Sequence, residues 1–124
     1  MTATDFTDIE FDEGPFAFDS EDWDESGAIS IKSGIVTLSA DLCVTGFAMT
    51  LANPTATTDD YKRLQIVDTA GAAHTLTPAS PFGNGGANEA KATFSGVIGD
   101  SIRLMAYQGY WYITGKHQVT VGSA

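Results

Sequence analysis

The sequence predicts an all-β fold, a compact antiparallel β-sandwich or barrel-like domain with an extended acidic N-terminal arm. Short apolar runs alternate with polar residues at a period of two beyond residue 27, and Gly, Asn or Asp separates the runs. The acidic residues, in contrast, concentrate at the start of the chain. A length of 124 residues suits one domain with its own core. The predicted boundaries are residues 1–26 for the arm and 27–124 for the β domain.

The predicted strands are short runs bounded by turn residues. In chain order they cover residues 29–32, 35–38, 47–51, 64–67, 74–77, 92–95, 102–106, 110–113 and 118–121. Ala70 and Gly71 predict a turn after the fourth run, so the fifth run is interpreted as its hairpin partner. A helical turn is predicted only around residues 55–61, where Thr57, Thr58 or Asp59 can cap it.

The predicted arm carries the whole net charge of the protein. Residues 1–26 contain ten acids and no Lys or Arg, whereas residues 27–124 contain six acids and six bases. Six large apolar side chains lie among these acids: Phe6, Ile9, Phe11, Phe16, Phe18 and Trp23. A solvated, disordered tail accounts for the charge. An arm that docks its apolar side chains on another protein accounts for the aromatic residues as well.

The charge distribution also restricts the partners. A neutral body with an acidic arm has no basic surface for DNA or RNA and none for anionic membranes. We therefore expect the arm to bind a basic protein surface or a cation. The sequence contains no signal-like segment and no long apolar run, so we expect a protein made in the cytoplasm or released without a signal. The single cysteine, Cys43, has apolar neighbours and is interpreted as a small core residue.

The run at residues 110–113 is apolar on both faces of its predicted strand. A strand buried on one side only would show a polar second face. Contact with another subunit explains the pattern and predicts a homo-oligomer, and a wide core between two sheets explains it equally. The candidate oligomer-interface or core residues are Tyr110, Trp111, Tyr112 and Ile113.

Catalytic patterns do not emerge from the sequence, and we predict that the protein is not an enzyme and needs no cofactor. His74 lies in a strand-like run and is interpreted as a hydrogen-bonded structural residue, while His117 is expected to be exposed near the C-terminus. Asp59 and Asp60 are adjacent and would point to opposite sides of an extended chain, unlike a pair that acts on one sugar. Asp59 is expected to cap a turn.

One partial metal motif begins near the end of the arm. Asp22, Asp24 and Ser26 match the first half of an EF-hand loop, but the twelfth position is Ser33 where a bidentate Glu is required. We therefore predict no EF-hand. Solvated acids are the default interpretation, and a looser calcium or magnesium site is the alternative.

The body resembles a module of tailed-bacteriophage virion proteins, above all head decoration and head-fibre proteins. The segments that carry this resemblance are GAISIKSG at 27–34, MTLANPTATTDD at 49–60, AHTLT at 73–77, ATFSG at 92–96, IGD at 98–100 and WY at 111–112. It covers about residues 27–121. Tyr61 departs from the pattern, because a small turn residue such as Gly is expected after the two aspartates.

The resemblance implies a structural protein of the virion. Proteins of this kind form homotrimers on the outer capsid surface, and they have no catalytic residues to transfer to this chain. We therefore expect a capsid decoration (cement) protein that binds the major capsid protein and stabilises the shell. The alternative is the tip module of a head or tail fibre, which binds a host receptor or glycan. In that case the aromatic residues Tyr107, Tyr110, Trp111 and Tyr112 would stack on sugars, although burial in the core is the preferred interpretation of these residues.

Overall fold

The computed structural model describes residues 19–39 and 46–123, which form two five-stranded sheets packed against each other. The first sheet has the order β1 (Ser20–Trp23), β3 (Gly34–Leu38), β5 (Arg63–Asp68), β8 (Ser101–Tyr107) and β9 (Tyr110–His117). The second has the order β10 (Val119–Gly122), β7 (Lys91–Phe94), β6 (Thr75–Pro78), β4 (Ala48–Leu51) and β2 (Gly27–Ile29). A 3₁₀ turn, Gly86–Glu89, precedes β7. The predicted all-β sandwich is confirmed, and no helix in these ranges is long and apolar enough to cross a membrane.

The sheets are mixed, whereas the sequence predicted antiparallel ones. Strands β1, β3 and β5 run parallel in the first sheet, and β2, β4 and β6 run parallel in the second. Because the chain changes sheet after each of these strands, it winds as a flattened coil of three stacked turns. Strands β7 to β10 then complete both sheets with antiparallel pairs. Alternation of apolar and polar residues is the same in both pairings, so it does not distinguish them.

The predicted hairpin between residues 64–67 and 74–77 is wrong, because the two runs do not pair with each other. The first run lies in β5 and the second in β6, which belongs to the opposite sheet. The Asp68 carboxylate stabilises a turn after β5, because its Oδ1 accepts the N–H groups of Ala70 (2.9 Å) and Gly71 (2.8 Å). The segment at 69–74 therefore crosses from one sheet to the other.

The core lies between the sheets and draws on every strand with alternate residues. Trp111 is its largest fully buried side chain, and the indole N–H donates to the carbonyl oxygen of Ala52 at 2.9 Å. This bond joins β9 of the first sheet to the chain that follows β4 of the second. The buried apolar residues are Ile29, Val36, Leu38, Met49, Leu51, Leu64, Ile66, Ala72, Leu76, Phe82, Ala92, Phe94, Ile102, Leu104, Ala106, Trp111 and Val119.

The β domain extends into the segment that the sequence assigned to the arm. Residues 20–23 form β1, and Trp23 is half-buried against the core. A Cβ atom at position 27 would lie 2.5 Å from the Trp23 ring, so the absence of a side chain at Gly27 leaves room for that ring. Phe6, Ile9, Phe11, Phe16, Phe18 and Cys43 lie outside the described residues.

Residues 55–61 form hydrogen-bonded turns in place of the predicted helical turn. Two residues in this segment, Thr57 and Tyr61, have left-handed backbone with φ of 69° and 71°. A right-handed helix cannot continue through such residues. Asp59 still has the expected turn-capping role, because its Oδ2 accepts the Thr55 N–H at 2.6 Å.

Trp111→Ala is expected to lower the free energy of unfolding by about 3–5 kcal/mol, because it removes the largest core side chain and leaves a cavity. Lys116→Ala is the control on the same strand, and we expect a change within about 0.5 kcal/mol because Lys116 is exposed. Urea denaturation measures both values. Equal losses in the two variants would contradict the core position of Trp111.

Candidate binding surface

Three tyrosines point outward from the first sheet at the end of the β8–β9 hairpin. Alternate residues such as Ala106 and Trp111 are buried, so Tyr107, Tyr110 and Tyr112 lie on the opposite, outer face. Tyr107 pairs directly with Tyr110 across the two strands. The ring centroids of Tyr107 and Tyr112 are 6.5 Å apart with an interplanar angle of 61°. The hairpin thus presents a contiguous aromatic surface.

Tyr61 extends this surface from the turn before β5. Its N–H donates to the carbonyl oxygen of Ala106 at 2.6 Å, and its ring centroid lies 5.6 Å from that of Tyr107. Tyr61 is 66% exposed, Tyr110 47% and Tyr107 39%. All four tyrosines of the protein therefore lie on one side of one sheet.

Both arginines of the protein lie on the same outer face. Arg63 pairs with Met105 across β5 and β8, and Arg103 pairs with Gly115 across β8 and β9; both arginines are exposed. A Cβ atom at position 115 would lie 2.9 Å from the Arg103 guanidinium, so Gly115 leaves room for that group to lie across β9. We name the whole surface the tyrosine–arginine face: Tyr61, Arg63, Arg103, Met105, Tyr107, Tyr110 and Tyr112.

A buried carboxylate, Asp59, holds the turn that carries Tyr61. Its Oδ1 accepts from the Lys62 ammonium at 2.8 Å, and the Lys32 ammonium lies 3.4 Å from Oδ2. The Lys62 hydrogen bond, then the Thr55 N–H, and to a lesser extent Lys32, lower the pKa of Asp59 to about 2, although burial opposes the shift. The turn at 55–61 is therefore anchored by a charged group at any pH above that value.

The neighbouring carboxylate, Asp60, ties this turn to the hairpin. Its Oδ1 accepts the N–H groups of Thr57 (3.1 Å) and Gln108 (2.7 Å), and its Oδ2 accepts from the Gln108 amide at 2.6 Å. Gln108 and Gly109 both have positive φ, 47° and 85°, as a tight hairpin turn requires. The two adjacent aspartates thus fix Tyr61 beside Tyr107.

The backbone at Tyr61 is unusual for a bulky residue. Left-handed backbone with a φ of 71° costs a non-glycine residue about 1–2 kcal/mol. Glycine adopts this conformation freely, which agrees with the small turn residue expected there by resemblance. A strained residue in a well-fixed turn is a reason to look for function at its side chain.

The residues predicted as interface or core divide between the two sides of β9. Trp111 is buried, and Ile113 is half-buried against the core. Tyr110 and Tyr112 lie on the outer face. The side chains of β9 that face inward therefore fill the core between the sheets, while Tyr110 is exposed and Tyr112 half-buried on the outer side of the same strand.

The candidate metal ligands are engaged separately with the neighbouring strands. Asp22 Oδ1 accepts from the hydroxyls of Thr37 and Ser39, both at 2.5 Å, whereas Ser26 Oγ accepts the Ala48 N–H at 2.9 Å. Asp24 is exposed in the bend between β1 and β2. Within residues 19–39 and 46–123, no group of three or more His, Cys, Asp or Glu residues is arranged to hold a metal ion.

His74 and Asp68 form a pair that is wholly buried. His74 Nδ1 accepts the Phe47 N–H at 2.9 Å, so the proton of the ring lies on Nε2, which is 3.2 Å from Asp68 Oδ1. Because both side chains are 0% exposed, a substrate cannot reach them. The pair braces the crossing between the sheets, in agreement with the structural role expected for His74.

A second exposed surface lies in the loop between β7 and β8, where Val97 is 53% and Ile98 68% exposed. Asp100 holds this loop, because its Oδ2 accepts from the Ser95 hydroxyl (2.7 Å) and from the N–H groups of Gly96 (3.0 Å) and Val97. Burial raises the pKa of Asp100, but these hydrogen bonds outweigh it and the net shift is downward. The sequence analysis missed this apolar tip, although turn residues on both sides of two large apolar residues mark it.

The grouping of Tyr61, Arg63 and Arg103 on one surface was not predicted from the sequence. Tyr61 stood out only as a departure from the resembling proteins. The two arginines occupy polar positions in alternating runs, which by themselves indicate only a solvated face. Their relation to the tyrosines depends on the pairing of β5, β8 and β9, which the sequence does not specify.

Asp59→Asn is expected to lower the free energy of unfolding at neutral pH by on the order of 2 kcal/mol, because a carboxylate with a depressed pKa stabilises the folded state. That contribution is complete above the ordinary pKa of 3.8 and declines as the pH falls from there through about 2. Denaturation of both proteins between acid and neutral pH tests this. Lys62→Met should show part of the same loss, and a difference that does not change with pH would contradict the assigned role.

No family model, curated protein sequence or solved structure matches the chain. The fold and the two exposed surfaces are therefore the structural basis for a functional proposal. Of these surfaces, the tyrosine–arginine face is the larger, and it has the more distinctive composition.

Proposed function

We propose that this chain is a bacteriophage virion protein that decorates the outer surface of the major capsid shell and stabilises it. The observation that carries the proposal is where the N-terminal segment joins the domain. Residue 19 leads directly into β1, which is the edge strand of the first sheet in the part of the chain that the structure describes. The proposal assigns the capsid contact to residues 1–18, which are joined to the domain at this sheet edge through residue 19. The resemblance to head decoration proteins supplies the identity of that neighbour.

The composition of this segment suits a tether. Five large apolar residues alternate with five acids and no base: Phe6, Ile9, Phe11, Phe16 and Phe18 are the proposed anchors. Fully burying one such side chain contributes about 1.5–3 kcal/mol, while ordering each residue costs about 1–2 kcal/mol. Several anchors must therefore bind together. Self-association adds avidity, because several tethers on one oligomer then engage the same capsid.

Trp23 does not belong to this tether. The sequence analysis grouped it with the anchors, but its ring is half-buried against the core and its indole N–H donates to Glu21 at 3.0 Å. The acids of the tether have a separate role in the proposal. They speed association with a basic surface on the capsid, and added salt reduces this effect.

The alternative role is a fibre-tip module that binds a host receptor or glycan. The observation in its favour is the exposure of Tyr61, Tyr107 and Tyr110, although Trp111 is buried and cannot stack on a sugar. The number of copies in purified particles separates the two roles, because a capsid decoration protein is present in hundreds and a fibre in a few tens or fewer. Neither role needs catalysis, so purified protein is expected to cleave no polysaccharide or peptide.

Deletion of residues 1–18, and separately Phe11, Phe16 and Phe18→Ser, should abolish binding to bare capsids in a co-sedimentation assay. Both variants should keep their thermal stability, because β1 and the core remain intact. Replacement of Thr2, Thr4 and Thr7 by Ser is the matched control and should bind as the parent protein does. Deletion of residues 1–26 should instead destabilise the domain, because it removes β1 and Trp23. Unchanged capsid affinity after deletion of residues 1–18 would disprove the proposed tether.

A further inference from the structure

We infer that the tyrosine–arginine face binds a second copy of this chain at an acidic edge formed by residues 19–25. This inference deepens the proposed function and rests on it in one respect, the expectation that the protein works as an oligomer. It assigns the contact to two described surfaces and leaves residues 1–18 for the capsid.

The acidic edge lies on and beside β1, at the far side of the first sheet. Asp19, Asp22, Asp24 and Glu25 are all exposed there, and residues 19–25 include no Lys or Arg. Glu21 is half-buried, and its carboxylate is engaged within the domain because it accepts from Trp23 Nε1 and from the N–H and hydroxyl of Ser30. Burial raises the pKa of Glu21, but the hydrogen bonds from Ser30 and Trp23 together outweigh it and the net shift is downward. The carboxylate of Glu21 is thus not available to a partner, whereas Asp19, Asp22, Asp24 and Glu25 are exposed.

The tyrosine–arginine face has the composition of a protein-binding surface. Tyrosine and arginine are enriched in interface cores, and they contribute most of the residues whose removal costs the most affinity. Arg63 and Arg103 lie among the tyrosines, and none of the outward residues of β5, β8 and β9 is an acid. This face is therefore locally basic on a protein with a net charge of −10, so it is complementary to the acidic edge.

The geometry of the rings favours a protein over a sugar. The planes of Tyr61 and Tyr107 are inclined at 45°, and those of Tyr107 and Tyr112 at 61°. Rings inclined in this way present edges and clefts in which side chains interdigitate, whereas stacking on a sugar requires an accessible flat ring. The hydroxyls and the two guanidinium groups then supply hydrogen bonds to carboxylates.

The two surfaces lie at opposite sides of one sheet, which determines the kind of contact. Strands β1 and β9 are separated by four strand spacings, or about 19 Å. Both surfaces lie on a single rigid sheet, so in one copy they cannot meet each other. Between copies the contact joins two different surfaces, and such head-to-tail contacts close into rings or extend as filaments. A closed ring of three agrees with the homotrimer implied by resemblance.

The test uses two variants of the full-length protein that each lack one surface. The face variant is Tyr61→Gly with Arg103→Ala, and the edge variant is Asp24→Asn with Glu25→Gln. Each alone should raise the dissociation constant for self-association by about tenfold or more, measured by sedimentation velocity and native mass spectrometry. Glu89→Gln with Lys91→Ala, which changes charge on the second sheet, is the matched control and should leave the oligomer unchanged.

A mixture of the two variants provides the decisive measurement. The face variant retains its acidic edge and the edge variant retains its tyrosine–arginine face, so one contact can form between them. The mixture should give a one-to-one heterodimer and nothing larger. If both variants fail to self-associate and the mixture forms no heterodimer, the contact is not head to tail and the inference is wrong.

Two further outcomes would also overturn it: a parent protein that is monomeric at micromolar concentration, or either variant self-associating as tightly as the parent. Misfolding is not expected to confuse the result, because glycine suits the φ of 71° at position 61 and should leave thermal stability unchanged or higher. Arg103→Ala alone is the second face variant. Because capsids are absent from these measurements, the capsid tether and the head-to-tail contact can fail independently.

Discussion

The chain changes sheet after each strand from β1 to β5, and each crossing takes backbone N–H groups out of the strand ladders, so that they need other acceptors. An unpaired buried N–H destabilises the folded state, so the crossings require hydrogen-bond acceptors that lie close by in the sequence. Carboxylates of the body supply them. Asp68 caps the crossing from β5 to β6, Asp59 and Asp60 fix the turn before β5, and Asp100 holds the loop before β8. Three crossings between the sheets, those before β5, after β5 and before β8, thus depend on these few side chains.

This use of acids changes how the charge of the body should be interpreted. By composition, residues 27–124 are neutral, which suggests a surface with no preference for either sign. In the structure, Asp59, Asp68 and Asp100 are buried at turns, so they contribute little negative charge to the outer face of the first sheet. Arg63 and Arg103 remain exposed on that face. A neutral composition therefore conceals a basic surface, and only the fold reveals it.

The strands and the fold class could be predicted from the sequence, because a period-two pattern of apolar residues indicates a half-buried strand. It was insufficient for strand pairing, since an inward residue of β3 has the same pattern whether β5 runs parallel or antiparallel to it. The strand β1 was not predicted because acids dominate residues 19–25, although Trp23 in this strand packs against the core. Tyr110 and Tyr112 were recognised as candidates from an apolar run, but Tyr61 and the arginines are distant in sequence and meet them only through the β5–β8–β9 register.

Tyr61 shows how stability and binding compete at this surface. A glycine there would avoid the cost of left-handed backbone, and Asp59 and Asp60 would still hold the turn. The turn is fixed on both sides, by Asp59 with its two lysines and by Asp60 with Gln108. These contacts hold Tyr61 in a left-handed conformation that a bulky residue would not adopt in a looser turn. What the tyrosine adds is a ring that is 66% exposed and packs on Tyr107. Most of the apolar surface of that ring stays in water until a partner covers it, which is the physical reason to regard this face as one half of an interface.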